Sequence, residues 1–317
     1  MPTGWTTTDI PDQHGRMALV TGANTGIGFH QALELARKGA HVLLAARDPE
    51  RGRTARSAIL QELPAANVEL VRLDLADLES VRHLADQLLD RDHGLDLLIN
   101  NAGVMAVPQR QTTAQGFELQ LGTNHLGHFA LTGRLLPALL ARRGSRVVTV
   151  SSLNHRMGTI RPDDLQSERG YGPWQAYNQS KLANALFTLE LDRRLRAAGA
   201  STLSVGAHPG YSRTELQYRG PRLGGGGISA RAMGLLTPLV GQPAARGALP
   251  VLRAATDPDV VGGDCYGPGG PGEARGLPHK VRYSKTAHDQ ALAGRLWQAS
   301  EALTGVRFPG LVRALSE

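Results

Sequence analysis

Tyr177 and Lys181 stand four residues apart in the stretch AYNQSK, residues 176–181. On a helix that spacing puts both side chains on one face. A free phenol has a pKa of about 10 and is a weak base near neutrality, while a neighbouring cation favours the phenolate. The pair could therefore move a proton to or from an alcohol or ketone oxygen. Taken alone it is equally an ordinary surface pair, because the spacing is common by chance, and the rest of the chain has to decide.

A second chemistry-bearing stretch is TGANTGIG, Thr21–Gly28, lying between the apolar run RMALVTG and the helical pattern IGFHQALELARKGA. Glycines at a strand-to-helix turn let the backbone approach a pyrophosphate, and the helix N-terminus offers it free N–H groups. The same rhythm recurs: HVLLAA then ERGRTARSAILQEL, VELVRLDL then LESVRHLADQLLD, LDLLINNAG then the stretch through LGHFALTGRLLPALLARR, SRVVTVSS then a helix from near Gln175, and finally STLSVGAHPG. Continuously apolar strands separated by helices predict an α/β fold with a doubly wound parallel sheet, a Rossmann fold.

The whole chain, 1–317, reads as one such domain. Residues 1–15 form an N-terminal extension, 211–240 a substrate loop or lid after the sixth strand, and 285–317 a C-terminal helix and tail. The lid expectation comes from the four-glycine run Gly224–Gly227 following a strand end, where ligands bind in such sheets. GPGGPGEARG near residue 270 reads as a surface loop and not a phosphate cradle, since no periodic helix follows it.

Composition narrows the classes. The single cysteine, Cys265, excludes an internal disulfide framework and multi-cysteine metal sites, and favours a reducing, cytoplasmic setting. His125 and His128 lie three apart on a helix without a third ligand in sequence, so no metal is expected. The net charge of +7 invites a nucleic-acid reading, but the arginines are scattered and aromatics are only 4%, too few for a base-stacking surface. Neither a signal peptide nor a membrane span is expected.

The second strand ends LLAARD. A site selecting NAD usually carries a carboxylate there for the ribose 2′-OH. Here the position is Ala46, followed by Arg47, whose guanidinium matches a 2′-phosphate. NADP(H) is therefore favoured over NAD(H), with Asp48 read as the cap of the next helix.

T-G-x-x-x-G-x-G, the NNAG run Asn100–Gly103 after the fourth strand and Y-x-x-x-K in a later helix occur in order, each on its expected element. Over essentially its whole length the chain resembles the short-chain dehydrogenase/reductase superfamily. AARD, the long interval before Tyr177 and HPG resemble the branch with retinol dehydrogenases and protochlorophyllide reductases.

The resemblance implies a catalytic quartet of Asn124, Ser152, Tyr177 and Lys181. Tyr177 would exchange a proton with the substrate oxygen, Ser152 would hydrogen-bond that oxygen, Lys181 would lower the phenol pKa and bind the nicotinamide ribose, and Asn124 would hold a water linking Lys181 to solvent. The residues alone leave Ser151 and Ser152 open; the family register selects Ser152. The cofactor would be held by Gly22, Asn24, Thr25, Gly26, Ile27 and Gly28, by Arg47, by Asp74 and Leu75 on the adenine side, by Asn101, Ala102 and Gly103, by Tyr177 and Lys181, and by Pro209, Gly210 and Thr214 at the carboxamide. Ser212 departs from the aliphatic residue common in the family.

The expected activity is NADP(H)-dependent hydride transfer between nicotinamide and a small-molecule carbonyl or alcohol, with ketone or aldehyde reduction the favoured direction. NAD-linked alcohol oxidation and a non-catalytic NADP-binding sensor are the rivals; an intact quartet argues against the sensor. Long helices in this superfamily often build homo-oligomers, whereas the insertion before Tyr177 could leave a monomer.

Overall fold

Alternate residues of β1 (Met17–Thr21) enter two different cores: Leu19 packs on one side of the sheet, Ala18 and Val20 on the other. β2 (His41–Ala46) and β4 (Leu97–Asn100) divide in the same way, Leu43 and Leu98 against Leu44 and Ile99. A strand buried on both faces has no polar alternation to show, which is why these runs are apolar throughout. The computed structural model describes residues 4–91, 93–211 and 242–311. Apart from Tyr211, the lid expected over 211–240 lies outside the described residues.

β3 (Val68–Arg72), β5 (Arg146–Val150), β6 (Leu203–Ala207), β7 (Cys265–Pro268) and β8 (Pro278–Val281) complete one eight-stranded sheet in the order β3-β2-β1-β4-β5-β6-β7-β8. All neighbours run parallel except β8, which returns antiparallel along β7. The predicted doubly wound sheet is present, with two more strands than the six the sequence pattern announced. Both are four residues long and contain proline, so neither offers an apolar run to read. The stretch near residue 270 is the turn that joins them.

One layer against the sheet holds α3 (Leu78–Leu89), α5 (Gly127–Leu140), α6 (Pro173–Ala197) and α8 (Gln290–Thr304); the other holds α1 (Gly26–Arg37), α2 (Pro49–Glu62) and α7 (Ala244–Thr256). Short polar signals set their ends. Asp48 accepts from the backbone N–H groups of Glu50 and Arg51 ahead of Pro49, and so caps α2 as expected. Asp77 caps α3 through the Glu79 N–H. α8 begins at Asp289, which accepts from Leu292 N–H, and stops at Gly305 in the left-handed conformation, φ +66.

α8 is locked down by aromatic packing. The Trp297 ring lies 5.1 Å from Phe129 of α5, 5.8 Å from Phe187 of α6 and 4.4 Å from Phe308. α5 continues a rod that begins with α4 (Leu119–Leu121) and passes through one π turn, Gly122–Leu126. The buried Glu118 caps this rod, accepting from Gln120 N–H at 2.9 Å and Leu121 N–H at 2.6 Å.

Candidate active site

β1 and β4 are neighbours in space although β2 and β3 intervene in sequence. Connections leave these two strands in opposite directions, and a crevice opens at their carboxyl ends. Thr21 organises its floor. The Thr21 hydroxyl accepts the backbone N–H groups of Asn101 and Ala102, both at 2.9 Å, and lies 2.9 Å from His128 Nε2. The Asn101 amide returns a bond to the Thr21 carbonyl at 2.8 Å.

Above this floor Gly22 turns the chain at φ +66 and Gly26 at φ +57, both in the region that favours glycine. A Cβ on Gly28 would lie 2.5 Å from the Gly22 carbonyl oxygen and 2.6 Å from the Asn101 amide nitrogen. Asn24, Thr25, Gly26 and Ile27 are half-buried around the same turn. Thr25, the residue before α1, has extended backbone and its side chain makes no capping hydrogen bond to the first turn of the helix. Such an end presents N–H groups and a positive dipole to an anion.

At the end of β2, Arg47 is exposed and has no ion-pair or hydrogen-bond partner among the described residues. Asp48 beside it is committed to α2. Asp74 is half-buried and accepts from Ala76 N–H at 3.0 Å with one carboxylate oxygen, while Leu75 is buried. Both follow β3 on the Arg47 side of the crevice, so the adenine-side and phosphate-side candidates share one end of the sheet.

The four catalytic candidates come together from three elements. Asn124 lies in the π turn; Ser152 follows β5 and starts a 3-10 turn, Leu153–Met157; Tyr177 and Lys181 lie one helical turn apart on α6. A π turn releases the usual i→i−4 pairing and recurs at functional sites. Here it aims the Asn124 side chain at the NNAG segment: Oδ1 accepts from Val104 N–H at 2.8 Å, and Nδ2 donates to the Val104 carbonyl and to Ser180 Oγ, both at 2.9 Å. A Cβ on Gly103 would stand 3.0 Å from Asn124 Oδ1 and 3.7 Å from Lys181 Nζ, so Gly103 brings the main chain up to the quartet.

The two serines separate by their partners. Ser151 is buried and donates to the Lys181 carbonyl at 2.8 Å, fastening β5 to α6. Ser152 accepts the Asn154 N–H at 3.3 Å and lies 3.4 Å from Asn154 Oδ1, and its hydroxyl is near enough to Tyr177 to pull the phenol pKa down.

Burial pushes the Tyr177 phenol up to about 12, with Ser152 pulling the other way. Burial also brings Lys181 down to about 8. Contrary to the expectation that Lys181 lowers the phenol, burial and Ser152 are what set it. Lys181 Nζ donates to the Val150 carbonyl at 3.0 Å and stands 5.8 Å from the Tyr177 ring centroid, so desolvation of each group outweighs attraction between them.

The short chain dehydrogenase family matches residues 16–220. The chain is 41% identical to human retinol dehydrogenase 13 over 300 residues, covering 94% of this chain and 87% of that protein. It is 43% identical to mouse polyprenol dehydrogenase over 302 residues, 93% and 86% of the two chains. A solved structure from Mycobacterium paratuberculosis superposes with TM-score 0.80 at 44% identity, covering 97% of this chain and 100% of that one. This chain belongs to the short chain dehydrogenase family. It is an NAD(P)-dependent oxidoreductase acting on CH–OH groups, with a small-molecule substrate and a Rossmann sheet that binds a nicotinamide cofactor. The uncapped first turn of α1, an Arg47 without a partner among the described residues and the close approach of Gly103 fit such a group.

In this short chain dehydrogenase the segment after β6 is held firmly. Gly210 has φ +62, and the Pro209 carbonyl accepts from the Gln242 amide at 2.9 Å. Thr214 and Ser212 lie outside the described residues. His125 and His128, read from sequence as helix-face residues, are both buried. His128 Nδ1 donates to the Asn124 carbonyl at 3.0 Å, which leaves Nε2 to accept the Thr21 hydroxyl and ties the cofactor floor to the π turn. Sequence reasoning missed this role, and also Ser180, which links Asn124 to the Tyr177 carbonyl. The T-G ahead of the glycine turn was the signal available for Thr21; nothing in spacing marks Ser180. Among the described residues no group of side chains could hold a metal, and no helix is long and apolar enough to cross a membrane.

Proposed function

We propose that this enzyme reduces ketones or aldehydes with NADPH, using Tyr177 as the proton donor. The observation that carries the reading is a buried phenol set near Ser152 and one helical turn from a buried lysine, where the π turn, the turn after β5 and α6 converge; burial pushes that phenol up to about 12. A group with that pKa stays protonated through the physiological range and is suited to give a proton to a carbonyl oxygen as charge develops on it. Ser152 hydrogen-bonds the same oxygen and stabilises that charge. Lys181, at about 8, is mostly cationic near neutrality and stands beside the phenol. Bound nicotinamide supplies the hydride. Asn124 holds the NNAG segment and, through Ser180, the backbone of Tyr177 in register.

The choice of NADPH rests on Arg47, exposed and without a partner among the described residues where a carboxylate would select NAD, with Asp48 engaged in capping α2. The substrate class we propose is apolar. Met157 ends the Ser152 turn, Tyr211 follows the segment after β6, and Trp174 packs edge-on to Tyr177 at 6.1 Å; all three are exposed large hydrophobic residues. Relatives named for retinol and polyprenol agree with a bulky apolar alcohol or aldehyde. Those names also favour a second reading, oxidation of such an alcohol with NADP⁺.

Cofactor consumption with NADPH and NADH over a panel of apolar aldehydes, ketones and quinones, with Tyr177→Phe beside the wild type, tests both. NADPH-selective turnover lost in the variant is the expected result. Turnover found only with alcohols and NADP⁺ selects the second reading, and tight cofactor binding with no turnover in either direction returns the protein to the sensor class.

A further inference from the structure

Glu273 has no part in the chemistry above, yet its carboxylate reaches two segments of the site from the turn between β7 and β8. One oxygen accepts from Arg156 Nη2 at 2.7 Å, and the other lies 2.9 Å from His208 Nε2. The direction of the second bond is fixed by the rest of the ring. His208 Nδ1 accepts the Gly210 N–H at 3.3 Å, so Nε2 carries the proton and donates to Glu273. Arg156 belongs to the turn that starts at Ser152, and His208 opens the His-Pro-Gly segment after β6. β5 and β6 are paired neighbours. The carboxylate therefore spans the gap between their carboxyl ends.

Three further observations make this a built brace and not a chance surface pair. His208 is 1% exposed, so its partner is not easily replaced by solvent. The main chain packs as tightly as the side chains: Tyr211 N–H donates to the Ala274 carbonyl at 2.7 Å, and a Cβ on Gly210 would lie 2.5 Å from that oxygen and 2.8 Å from the Glu273 carbonyl oxygen. Finally, Glu273 has φ +56, directly after Gly272 at φ +61. A glutamate in the left-handed region is disfavoured relative to glycine, and such strain persists where surrounding contacts over-determine it. Here the compensating contacts are those of the carboxylate.

The Ser152 turn is held from its other side by His155, whose Nδ1 donates to the Ser152 carbonyl at 2.6 Å while Nε2 accepts the Ser284 N–H at 3.1 Å. We infer that Glu273 is a positioning residue that fixes the distance between the nicotinamide-side segment, His208–Gly210, and the Ser152 hydroxyl that receives the substrate oxygen. This rests on the proposed function for the roles of those two segments. Small errors in that distance matter because hydride and proton transfer need near-contact geometry.

Glu273→Gly removes the carboxylate and relieves the backbone in one step. The expected result is a thermal midpoint equal to or above wild type, with kcat for carbonyl reduction at least tenfold lower. Glu273→Gln keeps one acceptor and should fall between the two. In the cofactor-free protein, amide exchange at Gly210 and Tyr211 should quicken in Glu273→Gly. A kcat within twofold of wild type overturns the inference whatever the exchange shows, as does a loss of activity that merely follows a lowered midpoint. If the wild type turns nothing over, the proposed function fails on its own account. The brace is then judged by exchange alone, and unchanged rates at Gly210 and Tyr211 overturn it.

Discussion

The functional weight of this protein falls on groups whose ionisation is set by burial. Lys181 is held at about 8, so it loses its charge as pH climbs through that value. If its cation assists proton release from Tyr177, kcat/KM for carbonyl reduction should fall about tenfold per unit above pH 8 in a full pH profile. Tyr177→Phe should lower kcat by roughly 10²–10⁴-fold with cofactor affinity nearly intact, checked by single-turnover kinetics and a binding titration. Arg47→Ala should raise the KM for NADPH about tenfold or more while leaving NADH almost unchanged, the size expected for losing a charge-assisted contact to a phosphate. Equal effects on both cofactors would remove the argument for 2′-phosphate selection.

At the scale of elements, the strand-to-helix turn has little tolerance. Gly28→Ala would drive a methyl group against the Gly22 carbonyl and the Asn101 amide. Overpacking of this kind costs about 1–3 kcal/mol. A chemical denaturation series should show that loss together with weakened cofactor binding. This turn was legible in the sequence because its constraint is local: glycine at fixed offsets between an apolar strand and a helix. The quartet was named from the family resemblance, and its members are brought together by the π turn, the turn after β5 and α6. β7, β8 and the Glu273 brace were not legible. Two four-residue strands containing proline carry no periodic signal, and the carboxylate meets partners 117 and 65 residues away. The four-residue spacing supplied the pairing of Lys181 with Tyr177, but only the three-dimensional setting shows both groups shifted by burial.

For the molecule as a whole, the acid limit of stability should be set in part by two buried histidines. Burial brings His125 down to about 4 and His128 to about 3. Both folded values lie below the unfolded value of about 6.5, so the unfolded chain takes up the protons first. Their contribution is complete above about pH 6.5 and is lost as pH falls toward 4 and then 3. At pH 5 the loss is on the order of 2 kcal/mol for each. Urea midpoints between pH 7 and 5 should show it, and His128→Asn should flatten that slope by about half whatever it does at pH 7. An unchanged slope would mean that other groups control acid unfolding.

The aromatic lock around Trp297 also sets a schedule for biosynthesis. Phe129 and Phe187 are core residues of α5 and α6, but the rings that cover them, Trp297 and Phe308, are encoded roughly a hundred residues after Phe187. At about 5–20 residues per second the ribosome leaves that apolar face uncovered for on the order of 5–20 s. A message truncated before α8 should therefore yield a polypeptide that aggregates even though every residue of the proposed quartet has been made.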